Sequence, residues 1–241
     1  RGKRPVCVLY STFLQRALDQ LVHDVVLPGL PVTLAIDRAG LVGADGATHQ
    51  GSYDMAFLRP LPGLRLYAPV VGADVQPMLD TALAGEGPAA LRFPRGTLPD
   101  VPEGFPSAVA PVEGGRWLLR PPGARAAVVA MGPLALAALE AARSMDGVAV
   151  LDVRLLSPLD VQAVDVACAT GCVVTVEEGT TRGGLGSAVL ERAASTGRRP
   201  RVRLLGLPDV FVRHGEARTQ RQQFGLDAAG IARAVRGLLE A

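Results

Sequence analysis

VCVLYSTFLQRALDQLVHDVVLPGLPVTLAI, residues 6–36, decides the fold class. Its first five residues form a β-rich run, and in the following STFLQRALDQLVHDVVL the residues Leu14, Leu18, Leu21, Val22 and Val25 share one face at helical spacing. Ser11 or Thr12 stands where a helix N-cap is expected. Residues 32–36 are strand-like again. This is one βα unit and the start of the next, the repeating element of a parallel sheet.

The alternation continues outward. Residues 64–68 and 89–93 read as strands, with a helix at about 74–83 between them. Proline then takes over, at Pro94, Pro99, Pro102, Pro106 and Pro111, and no apolar period survives, which marks a linker. Beyond it, strands are expected at 117–120, 126–131, 148–153, 173–176 and 202–205, with helices at 134–143, 159–169, 185–194, 216–224 and 228–239. The expected architecture is α/β: two parallel or mostly parallel sheets with flanking helices, divided into residues 1–110 and 111–241. The chain opens RGKRPVCVLY, without Met and at once on a strand. We therefore expect the first domain to lack its beginning and the chain to derive from a longer protein.

Bulk composition narrows the function. The formal charge is +2, from 25 basic and 23 acidic residues spread along the chain, which gives no massed basic surface for nucleic acid. No apolar run approaches the roughly 20 residues of a membrane-spanning helix. Cys7, Cys168 and Cys172 are odd in number, and two lie in apolar runs, a usage that fits buried thiols in a reducing cytoplasm. Cys168 and Cys172 have no second Cys or His pair nearby in sequence to complete a metal site.

The richest stretch is DRAGLVGADGATHQGSYD, residues 37–54, directly after a strand and so at the carboxyl edge of a parallel sheet, where ligands usually bind. Its Arg38, Asp45 and His49 offer a fixed cation, a carboxylate and an imidazole that can donate or accept, a set suited to a phosphorylated, hydroxylated ligand. The same composition also suits a solvated loop that turns at Asp45-Gly46. In LRFPRG, Arg92 and Arg95 flank a proline, and a guanidinium fork there can hold phosphate. In YSTFLQR, Tyr10 ends a strand and Arg16 lies in the first turns of the next helix. Tyr10 and Phe13 are equally open to a core role.

YSTFLQRALDQLVHDV, AIDRAGLVGADGATHQGSYD and ALRFPRG, in that order, closely resemble the second half of the pyrimidine-binding domain of the 1-deoxy-D-xylulose 5-phosphate synthases. LDVRLLSPLD, VTVEEGTTRGGLGSAVLE, LGLPDVFVRHG and GLDAAGI resemble their transketolase-type C-terminal domain. The resemblance covers essentially the whole chain. It implies a thiamine-diphosphate transferase that condenses pyruvate with glyceraldehyde 3-phosphate, loses CO2, and feeds isoprene and thiamine biosynthesis. It further implies that Phe13 stacks on the cofactor's aminopyrimidine, that Tyr10, Arg38 and Arg95 bind the aldehyde's phosphate, and that Asp45 and His49 act beside its hydroxyl and the reacting carbons. Arg16 matches a position near the active site. In the family a preceding domain binds the diphosphate and Mg2+ through a GDG-type motif, and a glutamate early in the pyrimidine domain activates the cofactor. Neither is in this chain, since Gly43 to Gly46 runs into THQG and Glu86 and Glu103 lack the right context. The expected partners are therefore the N-terminal part of the enzyme and a second copy of the complete enzyme. A non-catalytic interaction module is the alternative.

The glycine loop at Gly184 and Gly186 invites a dinucleotide reading. Val189 stands at the third glycine position, however, and Glu177-Glu178 precedes the loop where phosphate would approach, so tight helix packing is the better account. His23 is expected on the surface, and His214 has no evident partner in the sequence.

Overall fold

The computed structural model describes residues 2–240. In chain order it contains β1 (Val6–Tyr10), α1 (Leu18–Gln20), β2 (Thr33–Asp37), α2 (Asp54–Leu58), β3 (Arg65–Tyr67), α3 (Val75–Ala84) and β4 (Ala89–Arg92), followed by β5 (Arg116–Leu119), β6 (Ala126–Ala130) and α4 (Leu134–Arg143). The remainder is β7 (Val148–Asp152), β8 (Leu155–Ser157), α5 (Val161–Cys168), β9 (Cys172–Thr180), α6 (Leu185–Ser195), β10 (Arg201–Leu207), α7 (Ala217–Gln223) and α8 (Ala228–Glu240).

Two five-stranded sheets result, ordered β1-β2-β4-β3-β8 and β10-β9-β6-β7-β5. Each is parallel apart from one edge strand: β8 runs antiparallel to β3, and β5 antiparallel to β7. β6 and β7 are buried along their whole length, which explains why AAVVA and VAVLD are continuous apolar runs without alternation. One apolar core runs from Leu14, Ile36 and Leu66 through Val129 and Leu151 to Val164 and Val189, so the two sheets are joined through side chains of both halves.

The expected continuous helix after β1 is not formed. Residues Ser11–Ala17 make a 3-10 turn and Leu21–Val26 a π-helical one, with only three α-helical residues between. Neither Ser11 nor Thr12 caps it, because Tyr10 occupies the N-cap position and the Thr12 hydroxyl donates instead to the Thr48 carbonyl at 2.9 Å. Leu14 and Leu21 are nevertheless buried, as the helical face predicts. β8 and α2 are additions to the expected elements. β8 is three residues long and crosses from the second half of the chain to pair with β3, Leu66 opposite Ser157.

The proline-rich strap between β4 and β5 has no strand or helix, as expected, and is tied down at points. The Ala108 amide donates to Asp74 at 2.9 Å and the Val112 amide to the Thr81 hydroxyl at 2.9 Å. Arg116 anchors its end. Its guanidinium donates to Asp74 Oδ1 at 2.8 Å, to Asp152 Oδ2 at 2.9 Å and to the Pro106 carbonyl at 2.7 Å, joining the second sheet, the turn ahead of α3 and the strap through one buried cation.

The glycine loop after β9 serves a carboxylate. Glu177, fully buried, accepts from the Leu185 and Gly186 amides at 2.8 and 2.9 Å, capping α6. A Cβ on Gly184 would stand 1.9 Å from Glu177 Oε2, and one on Gly186 2.8 Å from Leu204, so the glycines allow this cap and close helix packing. Burial raises Glu177 to about 7, against the pull of the two amides and of Arg92 and Arg59. A carboxyl group raised in the folded state contributes stability that is complete below its unfolded pKa and lost as pH rises through its folded one. From about pH 5.5 to pH 8 this group is therefore expected to remove about 2 kcal/mol of stability. Denaturant midpoints across that range check this: Glu177→Gln should flatten the slope, and an unchanged slope would refute the assignment.

Candidate active site

The carboxyl ends of β1, β2 and β4 lie side by side, and the loops that follow them bring the candidate residues together. Tyr10 ends β1, and the Arg38 guanidinium lies 4.2 Å from its ring centroid, a cation–π contact. Arg38 has φ 57°, a left-handed conformation that is uncommon for a side-chain-bearing residue. Its Nη1 donates to Asp45 Oδ2 at 2.6 Å, and Asp37 Oδ1 accepts its amide at 2.7 Å. Arg95, after β4, reaches the same carboxylate at 3.5 Å and donates to the Val42 carbonyl at 2.8 Å. Two guanidiniums thus flank one carboxylate, with net positive charge and donors to spare.

Phe13 is 38% exposed and links the two ends of the cluster. Its ring stacks on Tyr10 at 6.0 Å and meets His49 edge-on at 5.5 Å, while Arg16 lies 5.6 Å from its centroid. The Thr48 hydroxyl occupies His49 Nδ1 at 2.9 Å, which leaves Nε2 for a ligand. Tyr10, Phe13, Arg16, Arg38, Asp45, His49 and Arg95 accordingly form one continuous group. Beside it opens a cleft of about 530 Å³ lined by Phe13, Arg16, Thr48, Tyr53, Phe57 and Phe211 among others.

The loop that carries Arg38, Asp45 and His49 is closed at its base. Gly40 and Gly51 exchange backbone hydrogen bonds of 2.8 and 2.7 Å. Gly51 is required there, because a Cβ would stand 2.3 Å from the Arg38 carbonyl oxygen. Gln50 is buried inside, accepting from the Val42 amide at 2.8 Å and donating weakly to the Arg213 carbonyl at 3.4 Å. Gly43 to Asp45 is a 3-10 turn and Gly46 turns at φ 74°, so the local Asp-Gly turn and the charged cluster coexist.

One candidate is corrected. Arg92 is not available for phosphate: it is 5% exposed and holds Asp54 through two hydrogen bonds of 2.8 and 3.2 Å, with a third to the Glu178 carbonyl at 3.1 Å. Its position in β4 turns it into the sheet interior, whereas Arg95 lies three residues on, past the strand. His214 packs against the loop, its Cβ 3.3 Å from where a Cβ on Gly46 would stand. His23 is on the surface beside Asp19, and Cys168 and Cys172 are buried. Missed from the sequence were Gln50, Tyr53, Phe57, Phe211 and Glu178, whose relevance comes only from long-range packing. Among the described residues no group of three or more His, Cys, Asp or Glu side chains is placed to hold a metal ion.

Residues 1–101 match the family described as transketolase, pyrimidine binding domain, and residues 115–231 the transketolase C-terminal domain. The chain is 62% identical over 238 residues to the 1-deoxy-D-xylulose-5-phosphate synthase of Myxococcus xanthus, and 48% identical over 236 residues to that of Bordetella pertussis. These alignments take in 99% and 98% of the chain but only 41% and 38% of the relatives, so the chain spans about two fifths of their length. A split gene transketolase, solved as an inactive beta4 tetramer, superposes with a TM-score of 0.86 at 29% identity, covering 99% of this chain and 77% of that one. Transketolase from Leishmania mexicana, at 20% identity and a TM-score of 0.82, covers 99% of this chain and 34% of that one and shares the fold. With its two halves accounted for by the two transketolase domains, the chain belongs to the transketolase family, as a relative of the 1-deoxy-D-xylulose-5-phosphate synthases.

Proposed function

We propose that this chain supplies the aldehyde-phosphate wall of a thiamine-diphosphate transferase that condenses pyruvate with glyceraldehyde 3-phosphate to 1-deoxy-D-xylulose 5-phosphate and CO2. The observation that carries the reading is the convergence of Tyr10, Phe13, Arg16, Arg38, Asp45, His49 and Arg95 at three adjacent strand ends. The half-exposed Phe13 ring beside a cleft of about 530 Å³ fits a flat heteroaromatic such as the cofactor's pyrimidine. When bound beside Phe13, thiamine diphosphate would supply the nucleophilic carbon and the electron sink that decarboxylation of pyruvate requires.

The chain's own residues act on the acceptor. The free donors of Arg38 and Arg95 hold the phosphate dianion, Tyr10 backs Arg38, and Arg16 adds positive charge at the rim. Asp45 keeps the two guanidiniums apart and accepts the aldehyde's hydroxyl. His49, with Nδ1 engaged by Thr48, presents Nε2 to the aldehyde oxygen and delivers the one proton the condensation consumes. Phe13, Tyr53, Phe57 and Phe211 restrict water around the reacting carbons.

Residues 1–110 and 111–241 serve as two domains of this wall. The diphosphate anchors, Mg2+ and the activating glutamate come from an N-terminal polypeptide that covers the edge strand β1, where Val8 is 72% exposed. The complete enzyme works as a homodimer in the cytoplasm. A non-catalytic assembly of this part alone is the second reading, favoured by the likeness to an inactive beta4 tetramer.

In the complete enzyme, Arg38→Ala or Arg95→Ala is expected to raise KM for glyceraldehyde 3-phosphate tens-fold, since a charged hydrogen bond is worth about 1.5–3 kcal/mol. Pyruvate KM should change little. Steady-state kinetics with each substrate varied decides it, and equal damage to both would remove the phosphate assignment.

A further inference from the structure

We infer that Glu178, on β9 of the C-terminal half, is a positioning residue that sets the phosphate-holding loop of the N-terminal half; the inference rests on the reading of Arg38 and Arg95 given above. The side chain is buried, and its Oε1 accepts the Leu41 amide at 2.9 Å, three residues beyond Arg38. Arg221, from α7, grips the same carboxylate with two hydrogen bonds of 2.9 and 3.0 Å, fixing it in one orientation. The Glu178 main chain holds the other end of the loop, because its carbonyl accepts Arg92, which in turn clamps Asp54.

The fit at the near end is steric as well as polar. A Cβ on Gly40 would stand 2.8 Å from Glu178 Cγ, so the carboxylate enters only because residue 40 has no side chain. It thereby lies against the Gly40–Gly51 bridge that closes the loop. Between Leu41 and that bridge run Asp45 and His49, and Arg38 precedes them directly. An ordinary ion pair within the C-terminal half would need only Glu178 and Arg221. The bond to the Leu41 amide is the feature that transmits the position of β9 to the ligand-holding side chains.

The test uses the complete enzyme and separates positioning from simple stability. Glu178→Ala is expected to raise KM for glyceraldehyde 3-phosphate at least about tenfold while pyruvate KM stays within about threefold. Glu178→Gln, whose amide oxygen can still accept from Leu41, is expected to recover most of that loss. Hydrogen exchange at the amides of residues 41–51 should accelerate in Glu178→Ala and remain slow in Glu178→Gln. A merely structural role would lower kcat in step with the folded fraction and leave both KM values alone, and that result would overturn the inference. So would unchanged amide protection in Glu178→Ala. Arg38→Ala, measured alongside, isolates the underlying reading: if it fails to select the phosphorylated substrate, the phosphate assignment falls, and amide exchange alone judges Glu178.

Discussion

Replacing His49 by Ala in the complete enzyme is expected to lower kcat for product formation by at least about tenfold, because positioned general acid–base help is typically worth about 100- to 10,000-fold and water recovers part of it. On the proposed reading the ring is oriented for proton delivery: Thr48 holds Nδ1 at 2.9 Å, Phe13 and His49 meet edge-on at 5.5 Å, and Nε2 would face the substrate. Cofactor affinity should stay nearly unchanged, since this reading places the diphosphate anchors in another part of the enzyme. The competing account makes His49 a packing residue that closes the loop beside Phe13. An aromatic contact of that kind contributes about 0.5–1.5 kcal/mol, so its loss would lower the thermal midpoint and spare turnover. Single-turnover rate, cofactor affinity and midpoint measured on the same variant separate the two. Normal turnover with a lowered midpoint would end the catalytic assignment.

The largest effect on stability is expected at Arg116. Arg116→Ala leaves Asp74 and Asp152 buried without their cation, and breaking a buried pair in this way costs about 3–5 kcal/mol. Burial pushes Asp152 up to about 7, with Arg116 and the Arg154 amide pulling the other way. For Asp74, burial also pushes upward, but hydrogen bonding and charge from Arg116 outweigh it and hold the group below its ordinary value. Removing Arg116 raises both. At about pH 5 Asp152 is protonated, whereas at about pH 8 it must remain buried and charged or bind a proton against the solution. The variant should therefore lose more stability at the higher pH. Denaturant unfolding at the two pH values measures this, and a loss below about 1 kcal/mol at both would show that the network adds little.

The parallel-sheet architecture was legible because its strands are short apolar runs set between amphipathic stretches. β1 and α4 coincide with the expected segments, and most other elements lie within one or two residues of theirs. β9 is longer than expected, because Glu177 and Glu178, whose charge ends the apolar run at Val176, are buried strand residues. β8 escaped because three residues carry no period and its partner β3 is some ninety positions away in the chain. The helix after β1 was misjudged in kind, since Thr12 is drawn toward Thr48 by a contact with a distant loop.

For the site, residue type and strand-end position brought forward Arg38, Asp45, His49 and Arg95, and the family resemblance added the roles of Tyr10 and Phe13. Arg92 shows the limit of local reasoning. It shares the same short segment with Arg95, yet Asp54 and Glu178 hold it inside the structure, and both are remote in sequence. The same remoteness hid Gln50 and Glu178, whose partners lie across the junction between the two halves.

The central claim is that this chain furnishes the acceptor wall of a thiamine-dependent transferase and depends on an N-terminal polypeptide for cofactor and metal. The direct measurement is formation of 1-deoxy-D-xylulose 5-phosphate from pyruvate and glyceraldehyde 3-phosphate, with thiamine diphosphate and Mg2+ present. It is run with the 241-residue chain alone and with the same chain joined to the N-terminal portion of the Myxococcus xanthus relative. The account predicts no turnover from the chain alone, turnover from the joined protein, and its loss when Arg38 and His49 are both replaced by Ala. Turnover by the chain alone, or a joined protein indifferent to that double replacement, would contradict it.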